Sequence, residues 1–96
     1  MEAVRTQATR TRIEDNDRVT ITEWRFAPGA ETGWHRHEID YVIVYRTAAR
    51  MLVESKAGRN AVEIAAGQAM FRRAPVEHNV INDGDGEVVF VETEIK

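Results

Sequence analysis

The chain has no cysteine. Disulfides, thiolate nucleophiles and zinc–thiolate sites are therefore excluded, and the composition fits a cytoplasmic location. No stretch approaches the ~18 consecutive apolar residues of a membrane span. The opening residues Met1 to Arg5 lead into no apolar stretch, so no secretory leader is expected. Positive charge is not in excess. Sixteen acidic residues stand against thirteen lysines and arginines, for a net charge of −3 at pH 7. Nucleic acid and anionic membranes call for a dense basic field, so neither is expected as a partner. Arg5, Arg10 and Arg12 are dispersed among threonines and read as a solvated arm. There is no internal repeat, and no Walker, dinucleotide or Ser-His-Asp pattern.

What is present is alternation. Residues 18 to 27 are rich in β-branched and aromatic types and stop at Pro28-Gly29. Ile39 to Tyr45 forms a second such run. Shorter strands are expected over Met51 to Glu54, Ala61 to Ala65, Ala69 to Arg72 and Asn79 to Ile81, and a longer one over Glu87 to Ile95. Gly58, Gly67, Pro75 and Asn82-Asp83-Gly84-Asp85-Gly86 supply the turns between them. Turn signals every ten residues or so indicate an all-β sandwich or barrel. The 96 residues suit one domain. Residues 1–12 are either an extended arm or an edge strand. A core this small gains from association, and a homodimer is expected.

The chemistry concentrates in the three histidines. His35 and His37 are two apart, so on a strand they share a face with Cβ atoms ~7 Å apart, close enough for both rings to reach one metal ion. His78 has to come from another strand folded alongside. Imidazole suits zinc, copper, iron and nickel.

These residues sit in a recognisable frame. Gly29 is followed by five residues and then His35-Arg36-His37; Gly67 is followed, at family spacing, by His78 and Asn82. The chain resembles the cupin family, whose motifs read G-x5-H-x-H-x3,4-E-x6-G and G-x5-P-x-G-x2-H-x3-N. Within it, the chain is most similar to small single-domain cupins of the type associated with β-alanine degradation. The resemblance implies a double-stranded β-helix, or jelly roll, of two packed antiparallel sheets. It implies one divalent transition metal on His35, His37 and His78, iron first, with zinc, nickel or manganese as alternatives. There are departures. Tyr41 and Val42 stand where the family places its glutamate ligand, Ala48 and Ala49 where the first motif ends in glycine, and Arg73 and Pro75 replace the proline and glycine of the second.

Strand parity carries His35 and His37 through Ile39 to Tyr41, Ile43 and Tyr45 on one face. Tyr41 then becomes the candidate catalytic residue, a hydrogen-bond donor or proton shuttle beside the metal. Val42 and Val44 face away and need cover from a second layer or a partner chain. Arg25, Arg46, Arg72 and Arg73 are candidates to anchor a substrate carboxylate. Trp24, Phe26 and Phe71 suit the core or a cavity wall, and Glu92 and Glu94 are expected to face solvent. The functional expectation is a dioxygenase-like metalloenzyme acting on a small organic metabolite. The alternatives are a metal-dependent isomerase or decarboxylase, or a non-catalytic metal- or small-molecule-binding module.

Overall fold

The alternating pattern becomes nine strands in a computed structural model that describes residues 5–96. They are β1 (Thr9–Asp15), β2 (Val19–Phe26), β3 (His35–His37), β4 (Tyr41–Tyr45), β5 (Ala49–Ser55), β6 (Gly58–Ile64), β7 (Ala69–Arg72), β8 (Val76–Asn82) and β9 (Val88–Ile95). One sheet runs β1-β2-β9-β4-β7 and the other β3-β8-β5-β6, with every strand pair antiparallel. This is a double-stranded β-helix. No helix among the described residues is long and apolar enough to cross a membrane.

The segment left open as arm or edge strand contributes β1 to the sheet edge, paired with β2 of its own chain. Ala8 and Glu31 tie it further through backbone bonds of 2.8 and 2.9 Å. Residues 1–4 of that segment lie outside the described residues. The hairpin between β5 and β6 is tighter than expected: Ser55 pairs with Gly58, so only Lys56 and Ala57 turn. Gly67, at φ 83°, closes β6 in a left-handed conformation that a side chain would oppose.

The largest correction to the strand reading lies between His37 and Tyr41. The expected run from Ile39 is broken, and β3 and β4 belong to different sheets. Asp40 fixes this corner, with its carboxylate accepting from the Ala74 N–H at 2.8 Å and its carbonyl from the Ile95 N–H at 2.8 Å.

The apolar core fills one end of the barrel. Phe26 and Phe90 meet at 5.3 Å between ring centroids, Tyr45 and Phe90 at 5.0 Å, and Met51 is fully enclosed. Asn82, the asparagine of the second motif, ties off this end. Its buried amide donates to the carbonyls of Gly86, Phe26 and Ala27, and its side-chain oxygen accepts from the Gly84 N–H. These bonds satisfy a polar group that would otherwise be costly to bury. The other end stays open, and a cavity of about 540 Å³ runs inward from it between the sheets. Phe26 is core and Trp24 is cavity wall, but Phe71 is neither: it is 52% exposed on the outer face.

Candidate metal centre

β3 pairs with β8 so that His35 lies directly opposite His78. Two-residue parity then puts His37 on the same inward face. The ring centroids are 4.7 Å apart for His35–His37, 4.7 Å for His35–His78 and 5.3 Å for His37–His78. One nitrogen from each ring lies within 4.8 Å of the other two. The Nε2 atoms of His35 and His37 are 3.0 Å apart. Two ligands at right angles on a metal with ~2.1 Å bonds sit about 3 Å from each other, so this spacing fits a shared ion.

Protonation favours the same reading. His35 Nδ1 lies 2.8 Å from the Gly33 carbonyl. A carbonyl only accepts, so a neutral His35 carries its hydrogen on Nδ1 and leaves the Nε2 lone pair free. Such outer partners orient metal-binding imidazoles. Gly33 takes a positive φ of 86°, and its N–H is held by Asn79 Oδ1 at 3.0 Å. Burial, and then the charge of His35, lowers His37 from 6.5 to about 4, and His78 falls likewise to about 4. Both rings are thus neutral near pH 7, as ligands must be.

Tyr41 also faces this site, although the strand expected to carry it there is broken. Its ring stacks on His37 at 4.0 Å and 24°. Burial, then the charge of Glu92, pushes its phenol up to about 12. It is therefore a neutral donor at neutral pH.

Glu92 and Glu94 correct the sequence reading. Both line the cavity, and Glu92 is only 8% exposed. The four apolar residues Val88 to Val91 conceal which parity faces inward, and register settles it: Glu92 lies beside Ile43, and Glu94 beside Tyr41. Glu92 Oε2 approaches His37 Nε2 at 3.9 Å, and burial raises its carboxyl to about 7. Of the four candidate arginines, only Arg72 lines the cavity. Arg25 and Arg46 pair with Glu23 on the surface, and Arg73 is exposed outside the cavity lining. Asn79 and Thr32 carry no signal in the sequence, and Arg10, read there as part of a solvated arm, lines the cavity. Nothing local marks them, because their roles depend on partners 25 to 48 residues away, or on a wall formed by other strands.

With this geometry in place, the comparisons decide the family. Residues 22–94 match the model of the cupin domain. The chain belongs to the cupin family. A curated relative, the beta-alanine degradation protein BauB of Pseudomonas aeruginosa, is 59% identical over 92 residues, spanning 96% of this cupin and 97% of that protein. The crystal structure of a cupin domain from Bordetella pertussis superposes with a TM-score of 0.95 at 49% identity, covering 99% of each chain. The polyketide cyclase RemF of Streptomyces resistomycificus shares the fold at a TM-score of 0.75 and 21% identity, over 96% of this chain and 70% of that one.

Proposed function

We propose that this cupin is a metal-dependent enzyme of small-metabolite metabolism, with His35, His37 and His78 holding one divalent transition metal. The observation that supports it is the convergence of three ring nitrogens on the wall of a cavity of metabolite size. Three imidazoles without a thiolate suit iron, zinc or nickel; iron is the first choice and manganese a further alternative by resemblance to the family. When bound, the ion would supply dioxygen activation or Lewis-acid polarisation of a substrate oxygen. Tyr41 donates a hydrogen bond to the bound substrate, and the apolar floor at Met51 and Phe90 excludes water. Kinship to a protein named for β-alanine degradation favours a substrate from amino-acid catabolism. The dioxygenase-like reading is the first choice. Isomerase or decarboxylase chemistry is the second, favoured by the Glu92 carboxylate beside His37, which is placed to move a proton. A cytoplasmic location belongs to the same proposal and rests on the lack of cysteine.

The test is elemental analysis of untagged protein, followed by oxygen uptake with candidate substrates. Near-stoichiometric iron with substrate-dependent oxygen uptake is the expected result. Turnover under nitrogen with zinc or nickel would select the second reading. Protein that binds no metal, even after loading, would overturn both and leave a binding module.

A further inference from the structure

The charges facing the cavity are not matched among themselves. Arg72 makes no ion pair among the described residues; its one side-chain bond is to Met70 Sδ at 3.7 Å. Glu94 makes no ion pair either. Glu92 is more than nine-tenths buried, and the nearest basic side-chain nitrogen is that of the neutral His37 ring, at 3.9 Å. Arg36 and Arg50 are paired with carboxylates, whereas Arg10, which also lines the cavity, lies over the Trp24 ring at 5.9 Å. Burial raises the Glu92 carboxyl to about 7, and a cation placed beside it favours the charged form.

Register shows how they are arranged. Tyr41 pairs with Arg72 on one side and with Glu94 on the other. The three residues form a row across adjacent strands: acid, phenol, guanidinium. One step inward on the same face of β9 stands Glu92, and His37, Glu92 and Glu94 each offer an atom within 4.8 Å of the others. That group suits a cation. His37 Nε2 also lies 3.0 Å from His35 Nε2 in the histidine triad, and the two carboxylates extend the polar wall of the cavity beyond it. Strands are ~4.8 Å apart, which puts the Glu94 and Arg72 backbones ~10 Å apart on either side of Tyr41, with Arg72 exposed at the rim. A ligand that carries both charges meets the acidic and the basic side of this row at once.

We propose that the Glu94–Tyr41–Arg72 row, backed by Glu92, binds a short zwitterion such as a small amino acid. The ligand carboxylate lies on Arg72 in a two-pronged contact, and its ammonium lies between Glu92 and Glu94. A simple carboxylic acid would leave the acidic pair unmatched, and a simple amine would leave Arg72 unmatched. This assignment rests on the reading of the cavity as a small-metabolite site, but not on the identity of the metal.

Calorimetric titration with propionate, propylamine and 3-aminopropionate, three probes on the same carbon frame, tests it. The measurements use metal-free and metal-loaded protein, with metal content determined on the same samples. The zwitterion is expected to bind at least tenfold more tightly than either single-charge probe. Arg72→Gln is expected to reduce it to the level of propylamine, and Glu94→Gln to the level of propionate. Both side chains lie at the open end of the cavity, and thermal melts confirm that the variants remain folded. Propionate binding as tightly as 3-aminopropionate would overturn the proposal, as would no binding of any probe or an unchanged preference in both variants. Metal bound without a zwitterion preference would refute this inference and leave the metal reading standing. A zwitterion preference in protein that takes up no metal would do the reverse.

Discussion

At the scale of single residues, the site turns on how Tyr41 replaces a carboxylate. A phenol pushed up to about 12 does not ionise near neutrality, so it makes a poor metal ligand but a dependable donor. Tyr41→Phe is accordingly expected to keep metal content within about twofold of the parent while weakening substrate binding or turnover by roughly tenfold, the worth of one lost hydrogen bond. Metal analysis alongside steady-state kinetics checks this, and loss of metal in the variant would make the phenolate a ligand after all. Glu92 brings a carboxylate to within 3.9 Å of His37 from β9, which the motif does not cover.

At the scale of elements, the short strand β3 is held less by its own pairing than by Asn79. β3 has only three residues and pairs only with β8. Asn79 is 6% exposed; its oxygen accepts from the Gly33 N–H, and its amide donates to Glu31 at 2.8 Å and Glu54 at 3.0 Å. One side chain thus clamps the loop leading into β3 to the strands behind it. Asn79→Ala leaves several buried polar groups without partners, each worth ~1–3 kcal/mol. We expect a loss of roughly 2–4 kcal/mol in denaturant unfolding and at least tenfold weaker metal binding, because His35 loses its support. A variant that melts lower but binds metal as before would limit Asn79 to stability alone.

At the scale of the whole molecule, the buried titrating groups pull in opposite directions. In metal-free protein, Glu92 is raised from 4.5 to about 7, so its contribution to stability is fully present below pH 4.5 and lost as pH rises through about 7. His37 and His78 are lowered from 6.5 to about 4, so theirs is present above pH 6.5 and lost as pH falls through about 4. Glu94, Tyr41, Tyr45 and His37 are the titratable groups facing Glu92. Glu92→Gln removes one arm of this balance. Relative to the parent, its melting temperature should climb between pH 5 and pH 8, by the equivalent of roughly 3 kcal/mol at most. A constant difference across that range would contradict the shift. The outer face of the larger sheet also carries a patch. Val42 pairs with Phe71 there, and Val44 and Phe71 are 39% and 52% exposed. We propose that a second copy covers it, as the homodimer expected from the sequence. Sedimentation at micromolar concentration should give a dimer that Phe71→Glu converts to monomer; a monomeric parent would refute it.

The sequence by itself determined the all-β class, the turn positions, and the grouping of His35, His37 and His78, because alternation and motif spacing are local properties of the chain. It also carried Tyr41 to the right face, though through a strand that does not exist: the parity argument crossed the Asp40 corner and still arrived in the cavity. Only the tertiary structure decided the rest. The inward turn of Glu92 and Glu94, the choice of Arg72 over three other arginines, and the clamp at Asn79 all depend on strand register. Register is set by which face the whole sheet buries, and an unbroken apolar run such as Val88 to Val91 does not record that face.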